Sequence, residues 1–194
     1  MTVAYIDGAS GASGDMLLGA IVDAGWPVAA LQQTLQRLPV TGWTLRAERV
    51  VRQGIAATQV SFTLPVGQPL RHLEDLLRLL SGATLPDNVQ RKADRVLHAL
   101  AAAEAAVHGI TVEEVHFHEI GALDTLFDIV GVVAGLEALA IERLDVGPVN
   151  VGGGTVTIAH GLLPVPPPAV ALLARNLITY GTPDVEELLT PTGA

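Results

Sequence analysis

The chain has 194 residues, of which 20 are acidic and 11 are basic, so its formal net charge at pH 7 is -9. This balance, without a basic stripe interleaved with aromatic residues, argues against a nucleic-acid partner. The sequence contains no cysteine. Disulfides, thiolate nucleophiles, iron–sulfur clusters and cysteine-based zinc sites are therefore excluded, and any metal ion must be held by nitrogen and oxygen.

The N-terminus lacks the cationic and apolar regions of a secretory signal peptide. The most apolar later run, residues 129–141, is interrupted by Glu137 and is too short to span a bilayer. We therefore expect a cytoplasmic protein with no membrane partner. A hydrophobic fraction of 49% beside only 16% charged residues favours burial of apolar surface between subunits, which predicts a homo-oligomer.

The first half of the chain predicts a mixture of strands and helices. TVAYID predicts a strand ending at Asp7, and the small-residue loop GASGASGD leads into the helix MLLGAIVDAG, closed by Gly25. WTLRAERVV and ATQVSFTLP alternate and are rich in Val and Thr, which predicts an antiparallel pair of strands. LRHLEDLLRLLSG has the leucine spacing of a short amphipathic helix that ends at Gly82.

Two longer helices are predicted next, one from Pro86 to His108 and one from about Gly121 to Ala140. RLDVGPVNVGGGTVTIAHG then predicts two short strands around a glycine bend, and LLPVPPPAVALLARN predicts a proline loop that enters a helix. The expected fold class is α/β or α+β, with a mixed sheet of short strands and several packed helices. A subdivision between residues 65 and 85 is possible.

The segment EEVHFHEIGALDTLFDIVG, residues 113–131, carries two histidines, a glutamate and two aspartates through otherwise apolar sequence. On an extended segment His116 and His118 point to the same face, with Phe117 turned into the core, whereas on a helix they would lie about 200° apart. With Glu119 beside them, they predict the beginning of a metal site that is open to a substrate.

The helix that follows has one small, acidic face. Its members are spaced three and four residues apart and are Gly121, Asp124, Asp128, Gly131 and Gly135. The rest of the circumference is apolar, so the helix is predicted to be buried nearly all round. A buried carboxylate is costly unless it is paired or binds a metal, and Asp124 and Asp128 are therefore candidate metal ligands.

A structural interpretation of the same residues stays open. Asp124 would cap backbone groups near the start of the helix, and Asp128 would pair with Arg143 or Arg175. The two histidines would then be ordinary residues at the edge of the core.

The loop IDGASGASGDM lies between a strand and a helix, where free backbone N–H groups and the helix dipole attract anions. It lacks the Gly-Lys-Ser/Thr of a Walker A loop. The loop predicts a cradle for a phosphate or carboxylate, with an aspartate to hold a cation; the candidate residues are Asp7, Ser10, Gly11, Ser13, Gly14 and Asp15. The alternative is a tight turn in which Ser13 is the N-cap and Asp15 interacts with the helix dipole.

The other histidines carry weaker signals. His160 follows the strand TVTIA, at a position where functional side chains often occur, and is a candidate general base. His98 and His108 are interpreted as structural, and His72 as part of the exposed surface. The C-terminal LLTPTGA is a polar, turn-forming end with no helix to close it, which predicts that the chain has been cut short.

Five segments together resemble the LarC family of nickel insertion proteins: SGASGDMLLGAIVDAG, RHL at 71–73, EEVHFHEIGALDTLFDIVG, AHGLLPVPPPA and ELLTPTGA. The likeness extends over essentially the whole chain. It implies a nickel chelatase, a lyase, that inserts nickel into pyridinium-3,5-bisthiocarboxylic acid mononucleotide. The product would be the nickel-pincer nucleotide cofactor of lactate racemase, and the full-length family uses CTP with a divalent cation, Mg or Mn.

The sequence departs from the family pattern in two places. LPVGQPLRHL lacks the histidine-rich loop that commonly precedes RHL, so auxiliary nickel storage is not expected. The family also continues past TPTGA into a C-terminal region to which nucleotide binding is attributed. Residues 1–194 are therefore expected to form the N-terminal LarC-like domain, without that region and inactive alone toward CTP.

The resemblance gives the candidate residues expected roles. The Ser10 to Asp15 loop would hold the phosphate of the substrate, and the nickel ligands would come from the ionisable residues singled out above: His116, His118, Glu119, Asp124, Asp128 and His160. Two other functions stay open, namely a non-enzymatic nickel carrier and a metal-dependent phosphohydrolase that uses the same carboxylates with magnesium or manganese.

Overall fold

The computed structural model describes residues 1–65, 71–117, 122–158, 161–183 and 185–194. The predicted mixture of helices and strands is confirmed. The strands of the described part are β1 (Thr2–Ile6), β2 (Thr44–Arg52), β3 (Ile55–Thr63), β4 (Arg71–His72), β5 (His116–Phe117), β6 (Ile141–Val146), β7 (Val149–Asn150), β8 (Thr155–Ile158), β9 (Gly161–Pro164) and β10 (Thr179–Tyr180). The helices are α1 (Gly14–Asp23), α2 (Val28–Leu35), α3 (Leu73–Ser81), α4 (Asp87–His108), α5 (Ala122–Ala138) and α6 (Pro168–Leu173).

The described strands associate in pairs, and both parallel and antiparallel pairs occur. β1 lies parallel to β6, and β7 lies parallel to β10. The pairs β2–β3, β4–β5 and β8–β9 are antiparallel. The predicted hairpin of β2 and β3 is the longest of these, with nine residues on each side.

Helix α5 lies at the centre of the main core and packs against α1, α2 and α4. Its apolar residues Leu126, Phe127 and Val130 are fully buried. The ring of Phe127 lies 4.8 Å from that of Trp43 and 5.2 Å from that of Phe62, centroid to centroid, in tilted and edge-on arrangements that aromatic pairs favour. A helix this apolar is stable only when it is covered on all sides.

The glycines of α5 let α1 approach closely. A Cβ on Gly131 would lie 2.7 Å from Cδ2 of Leu18, and a Cβ on Gly135 would lie 2.5 Å from Cγ2 of Ile21 and 2.8 Å from the ring of Trp26. These distances are shorter than carbon–carbon contacts allow. The small face predicted from the sequence is thus, over these two turns, the surface on which α1 packs.

No helix of the described residues is both long enough and apolar enough to cross a membrane.

The contact between α5 and α1 gives a stability prediction. Replacing Gly135 with valine should lower the free energy of unfolding by about 1–3 kcal/mol, because overpacking forces the Trp26 ring and Ile21 apart from the helix. Urea unfolding followed by circular dichroism measures this change.

The matched control is Ala102→Val, which adds a valine to an exposed position of helix α4. That variant should change the stability by less than about 0.7 kcal/mol, the range of ordinary helix propensities. Equal losses in the two variants would contradict close packing at Gly135.

Candidate metal and substrate site

A cavity of about 680 Å³ opens where α1 and α5 begin and α4 ends. Its apolar wall comes from β3, the end of β9 and the start of α6, and the residues after 186 form its remaining side. The polar residues that line it are Ser13, Asp15, Ser61, Glu104, His108, Asp124, Thr125, Asp128, Glu187, Thr190 and Thr192. The volume is in the range of sites that hold a nucleotide-sized ligand.

The charges around this cavity are almost all negative. Five carboxylates line it, and none of the described residues that line it is a lysine or an arginine. At neutral pH such a surface attracts cations and repels anions. The cavity is therefore suited to a metal ion first, and to an anionic ligand only when that charge has been offset.

Asp128 is the most buried carboxylate of the site. The residue is 9% exposed, and its Oδ1 atom is sealed from solvent without a hydrogen-bond partner. Its Oδ2 atom lies against the backbone of Gly14, where a Cβ would overlap the carboxylate. Only glycine at that position lets the start of α1 come so close to α5.

The surroundings of Asp128 favour its protonated form. Burial is the main cause that raises the pKa of Asp128, to about 8, and the nearby charges of Asp15 and Asp124 add to it. Burial also raises the pKa of Asp124, although its Oδ1 accepts a hydrogen bond of 2.9 Å from the backbone N–H of Thr125. A divalent cation bound here would replace the proton on Asp128 and relieve the repulsion among the three carboxylates.

Thr125 supplies a second buried oxygen without a partner. Its Oγ1 is sealed from solvent and, like Oδ1 of Asp128, makes no hydrogen bond. Buried polar atoms in folded proteins are nearly always hydrogen-bonded, so two orphans in one cavity point to a missing ligand. Hydroxyl and carboxylate oxygens are suitable donors for a divalent cation.

The structure separates the two interpretations of the acidic helix face. Asp124 does accept a backbone N–H near the start of α5, as the structural interpretation expects. Asp128, however, has no arginine partner in the described residues, and Arg143 pairs with Asp145 instead, at 2.7 Å. When it is ionised, Asp128 therefore has no counter-ion among the described residues.

The glycine-rich loop is fixed by the C-terminal segment. Ala12 forms a parallel bridge with Leu189, and its backbone N–H donates to the Leu188 carbonyl at 3.0 Å. The backbone N–H of Gly14 donates to Oγ1 of Thr192 at 3.2 Å, so this N–H is already engaged. The Ser13 hydroxyl contacts the Asp15 carboxylate and does not cap the helix, although Ser13 occupies the N-cap position.

The predicted anion-binding residues divide into two groups. Ser13 and Asp15 line the cavity. The other four, Asp7, Ser10, Gly11 and Gly14, do not, although Gly14 borders Asp128 from behind.

Glu104 and His108 also line the cavity, although the sequence pattern gave Glu104 no role and His108 only a structural one. They lie four residues apart at the end of α4, with Nε2 of His108 3.4 Å from Oε2 of Glu104. A carboxylate this close to an imidazole can orient the ring. One feature of the sequence could have pointed to them, because they are the only ionisable residues in the alanine-rich stretch 99–108.

The histidines predicted as ligands lie elsewhere or outside the described residues. His116 is on β5, is exposed and does not line the cavity. His118, Glu119 and His160 lie outside the described residues. Among the described residues, no group of three or more His, Asp or Glu has the closeness of a complete metal site.

The fold and the cavity define a mixed α/β protein with an acidic cavity beside its central helix. The family model described as nickel insertion protein matches residues 4–194. The chain therefore belongs to the nickel insertion protein family, the LarC family that its motifs resemble. No solved structure matches this chain.

Two curated relatives are named pyridinium-3,5-bisthiocarboxylic acid mononucleotide nickel insertion protein. The one from Nocardioides sp. is 50% identical over 194 residues, which cover 100% of this chain and 49% of that relative. The one from Desulfitobacterium hafniense strain DCB-2 is 45% identical over 195 residues, 100% of this chain and 48% of the relative. The chain thus spans about half the length of the curated relatives it matches.

The pKa of Asp128 predicts how stability depends on pH. The folded protein keeps a proton on Asp128 up to about pH 8, whereas the unfolded chain releases it near the ordinary value of 3.8. The stabilisation is therefore complete below pH 3.8 and is lost as the pH rises to about 8. Between pH 5 and 8 the loss should be on the order of 3 kcal/mol.

The measurement is urea unfolding at several pH values in the presence of a chelator. Asp128→Asn, which cannot ionise, should remove most of this loss and should be more stable than the wild type at pH 8. Asp87→Asn, at an exposed position of α4, should keep the wild-type pH dependence. If the stability of the wild type depended on pH no more than that of Asp128→Asn, this carboxylate would not be the cause of the predicted loss.

Proposed function

We propose that the chain is the nickel-handling half of a nickel insertion protein whose substrate is pyridinium-3,5-bisthiocarboxylic acid mononucleotide. The observation that carries the proposal is the buried Asp128, with one oxygen unpartnered, facing Asp124 and Asp15 in one cavity. The names of the relatives from Nocardioides and Desulfitobacterium support the choice of metal and substrate.

The donor set suits a site that must release its metal. Nickel is bound by imidazole and carboxylate, but thiolate-type sulfur competes well for it. The chain has no cysteine, so an acceptor with two thiocarboxylate groups offers softer ligands than any side chain here. We propose that nickel moves from protein oxygen and nitrogen to the sulfur of the substrate for this reason.

We assign the ligands in two groups. Asp124 and Asp128, with Asp15 at the rim, form the cavity group. His116, His118 and Glu119 form the histidine block, which immediately precedes α5 in the chain and presents nickel to the cavity. His160 is kept as a further ligand or base.

The apolar wall and the α1 end of the cavity have separate roles in the proposal. Phe62, Leu64 and Pro167 provide apolar surface against which a pyridinium ring can pack. The loop from Ser10 to Asp15, at the N-terminal end of α1, is proposed to hold the phosphate of the mononucleotide. Glu104 and His108 are placed to take up a proton from the bound substrate.

The remaining parts of the reaction are assigned to the half of the relatives that this chain does not match. We propose that this half binds CTP with magnesium or manganese and couples its turnover to nickel insertion. The product would then be the nickel-pincer nucleotide cofactor of lactate racemase. A chain that binds nickel but yields no cofactor even when joined to that half would instead be a nickel carrier.

The cavity group is tested by nickel binding to the chain. Asp124→Asn and Asp128→Asn should each weaken Ni²⁺ binding at pH 7.5 by at least about tenfold, because each removes an anionic donor. Isothermal titration calorimetry, checked by elemental analysis after dialysis, measures this. Asp87→Asn is the control. It removes one negative charge, as the test variants do, but leaves the cavity unchanged.

The histidine block is tested in the same assay. The double variant His116→Ala/His118→Ala should lose nickel during dialysis. Nickel content equal to that of the wild type would show that these two histidines are not ligands. Unchanged nickel binding in both aspartate variants would show that the cavity group is not the nickel site.

The charge of the cavity predicts an order of binding. An anionic mononucleotide should bind weakly to the metal-free chain and at least about tenfold more tightly with nickel present, because the cation offsets the carboxylates. Nicotinic acid mononucleotide, which carries a carboxylate in place of a thiocarboxylate, is used as an analogue of the substrate. Isothermal titration calorimetry measures its affinity. Equal affinity with and without nickel would contradict this order.

A further inference from the structure

A pair of histidines lies on the β4–β5 ribbon, apart from the acidic cavity. His72 and His116 are directly opposite each other in the antiparallel register. Residues at such positions project from the same face of the ribbon with their Cβ atoms about 5 Å apart. The two imidazole rings accordingly meet, with their centroids 3.8 Å apart and their planes inclined by 46°.

The backbone holds this pair firmly in place. Phe117, the neighbour of His116, is 3% exposed and anchors β5 in the main core. His72 is the N-cap residue of α3, and its backbone N–H donates to Oδ2 of Asp75 at 3.2 Å. Leu73, the first residue of α3, is buried in the same core. Two imidazoles are thus fixed at short range by elements that are themselves packed.

One nitrogen of the pair lacks a partner. Nδ1 of His72 is sealed from solvent and makes no hydrogen bond to any described residue, although the side chain faces the backbone N–H of Asp75 in the capping box of α3. A buried ring nitrogen without a partner lowers the stability of the fold. An apolar ring at this position would be more stable, yet the chain has an imidazole there. His116, by contrast, is exposed, so an ion can reach the pair from solvent.

We propose that His72 and His116 together bind divalent nickel, as a surface site from which the ion passes to the acidic cavity. Two neutral imidazoles are donors of the kind that nickel prefers, and they leave the other coordination positions to water or to an incoming ligand. This inference rests on the proposed function for the identity of the metal. It adds His72, which the sequence pattern assigned to the exposed surface, to the residues that handle nickel.

Two ligands make a weak site, and weakness suits this role. A site that must capture an ion and then release it to deeper carboxylates cannot bind more tightly than they do. Glu74 and Asp75 lie at the start of α3, and both interact with Arg78. Arg78 offsets one of their two negative charges and holds both carboxylates, so the imidazoles remain the principal donors.

The test uses the paramagnetism of Ni²⁺. In the wild-type chain at pH 7.5, substoichiometric Ni²⁺ should broaden the ring signals of His72 and His116 together in NMR spectra, before that of His98. His72→Asn should raise the nickel needed to broaden His116 by at least about tenfold, since loss of even an outer partner of a metal ligand costs that much. His116→Asn should have the reciprocal effect on His72.

The variants are chosen to keep the fold. Asparagine is a favourable N-cap residue, so His72→Asn preserves the start of α3, and His116 is at the surface. His98→Asn is the matched control, because His98 is an exposed histidine on α4 that contacts Asp94. Circular dichroism confirms that each variant is folded.

The outcomes separate this site from the cavity. Broadening of both rings that persists in Asp124→Asn/Asp128→Asn supports the histidine pair whether or not the cavity binds nickel. Broadening of His116 that is the same in His72→Asn as in the wild type overturns the pair, and leaves the proposed function standing if the cavity variants still lose nickel. A wild-type chain that binds no nickel overturns both.

Discussion

The contact between Asp128 and Gly14 is the constraint on which the site depends. A carboxylate on the central helix is pressed against the backbone at the start of α1, and one of its oxygens has no partner. In a metal-free protein this arrangement is tolerable only because the group keeps its proton, as its raised pKa indicates. Folding stability and cation binding therefore make opposite demands on the Asp128 carboxylate. The metal-free fold is stabilised by its proton, and a bound cation replaces that proton.

The rest of the architecture maintains that contact. Gly131 and Gly135 bring α1 onto α5 along the same face, so the helices cannot separate without exposing Leu18 and Ile21. The C-terminal segment closes the other side, since Thr192 accepts the N–H of Gly14 and Leu189 pairs with Ala12. The acidic groups are thus held together by the packing of apolar neighbours, against their own repulsion.

A large part of this fold follows from local sequence pattern. The hairpin of β2 and β3, the helix that ends at Gly82 and the long helix that ends at His108 are where alternation, leucine spacing and glycine predict them. The three-and-four spacing also predicted that Asp128, Gly131 and Gly135 share one face of α5, and all three meet α1, whereas Gly121 lies outside the described residues. Such features depend on residues close together in the chain, and these are what periodicity can detect.

The composition of the site depends on residues far apart in the chain. Nothing local shows that Glu104 and Glu187 line the same cavity as Asp128, or that the glycine part of the α5 face packs against α1 while its acidic part lines the cavity. The contact of His72 with His116 also needs the pairing of two strands of two residues each, too short to leave a pattern. Tertiary packing decides these cases, and the sequence alone left them open.

The most direct measurement is a crystal structure of the chain soaked with nickel, with anomalous scattering recorded at the nickel absorption edge. A peak in the cavity, about 2 Å from carboxylate oxygens of Asp128 and Asp124, is the predicted result. Nickel bound elsewhere, with Asp128 still buried and without a cation beside it, would contradict the role given to this carboxylate.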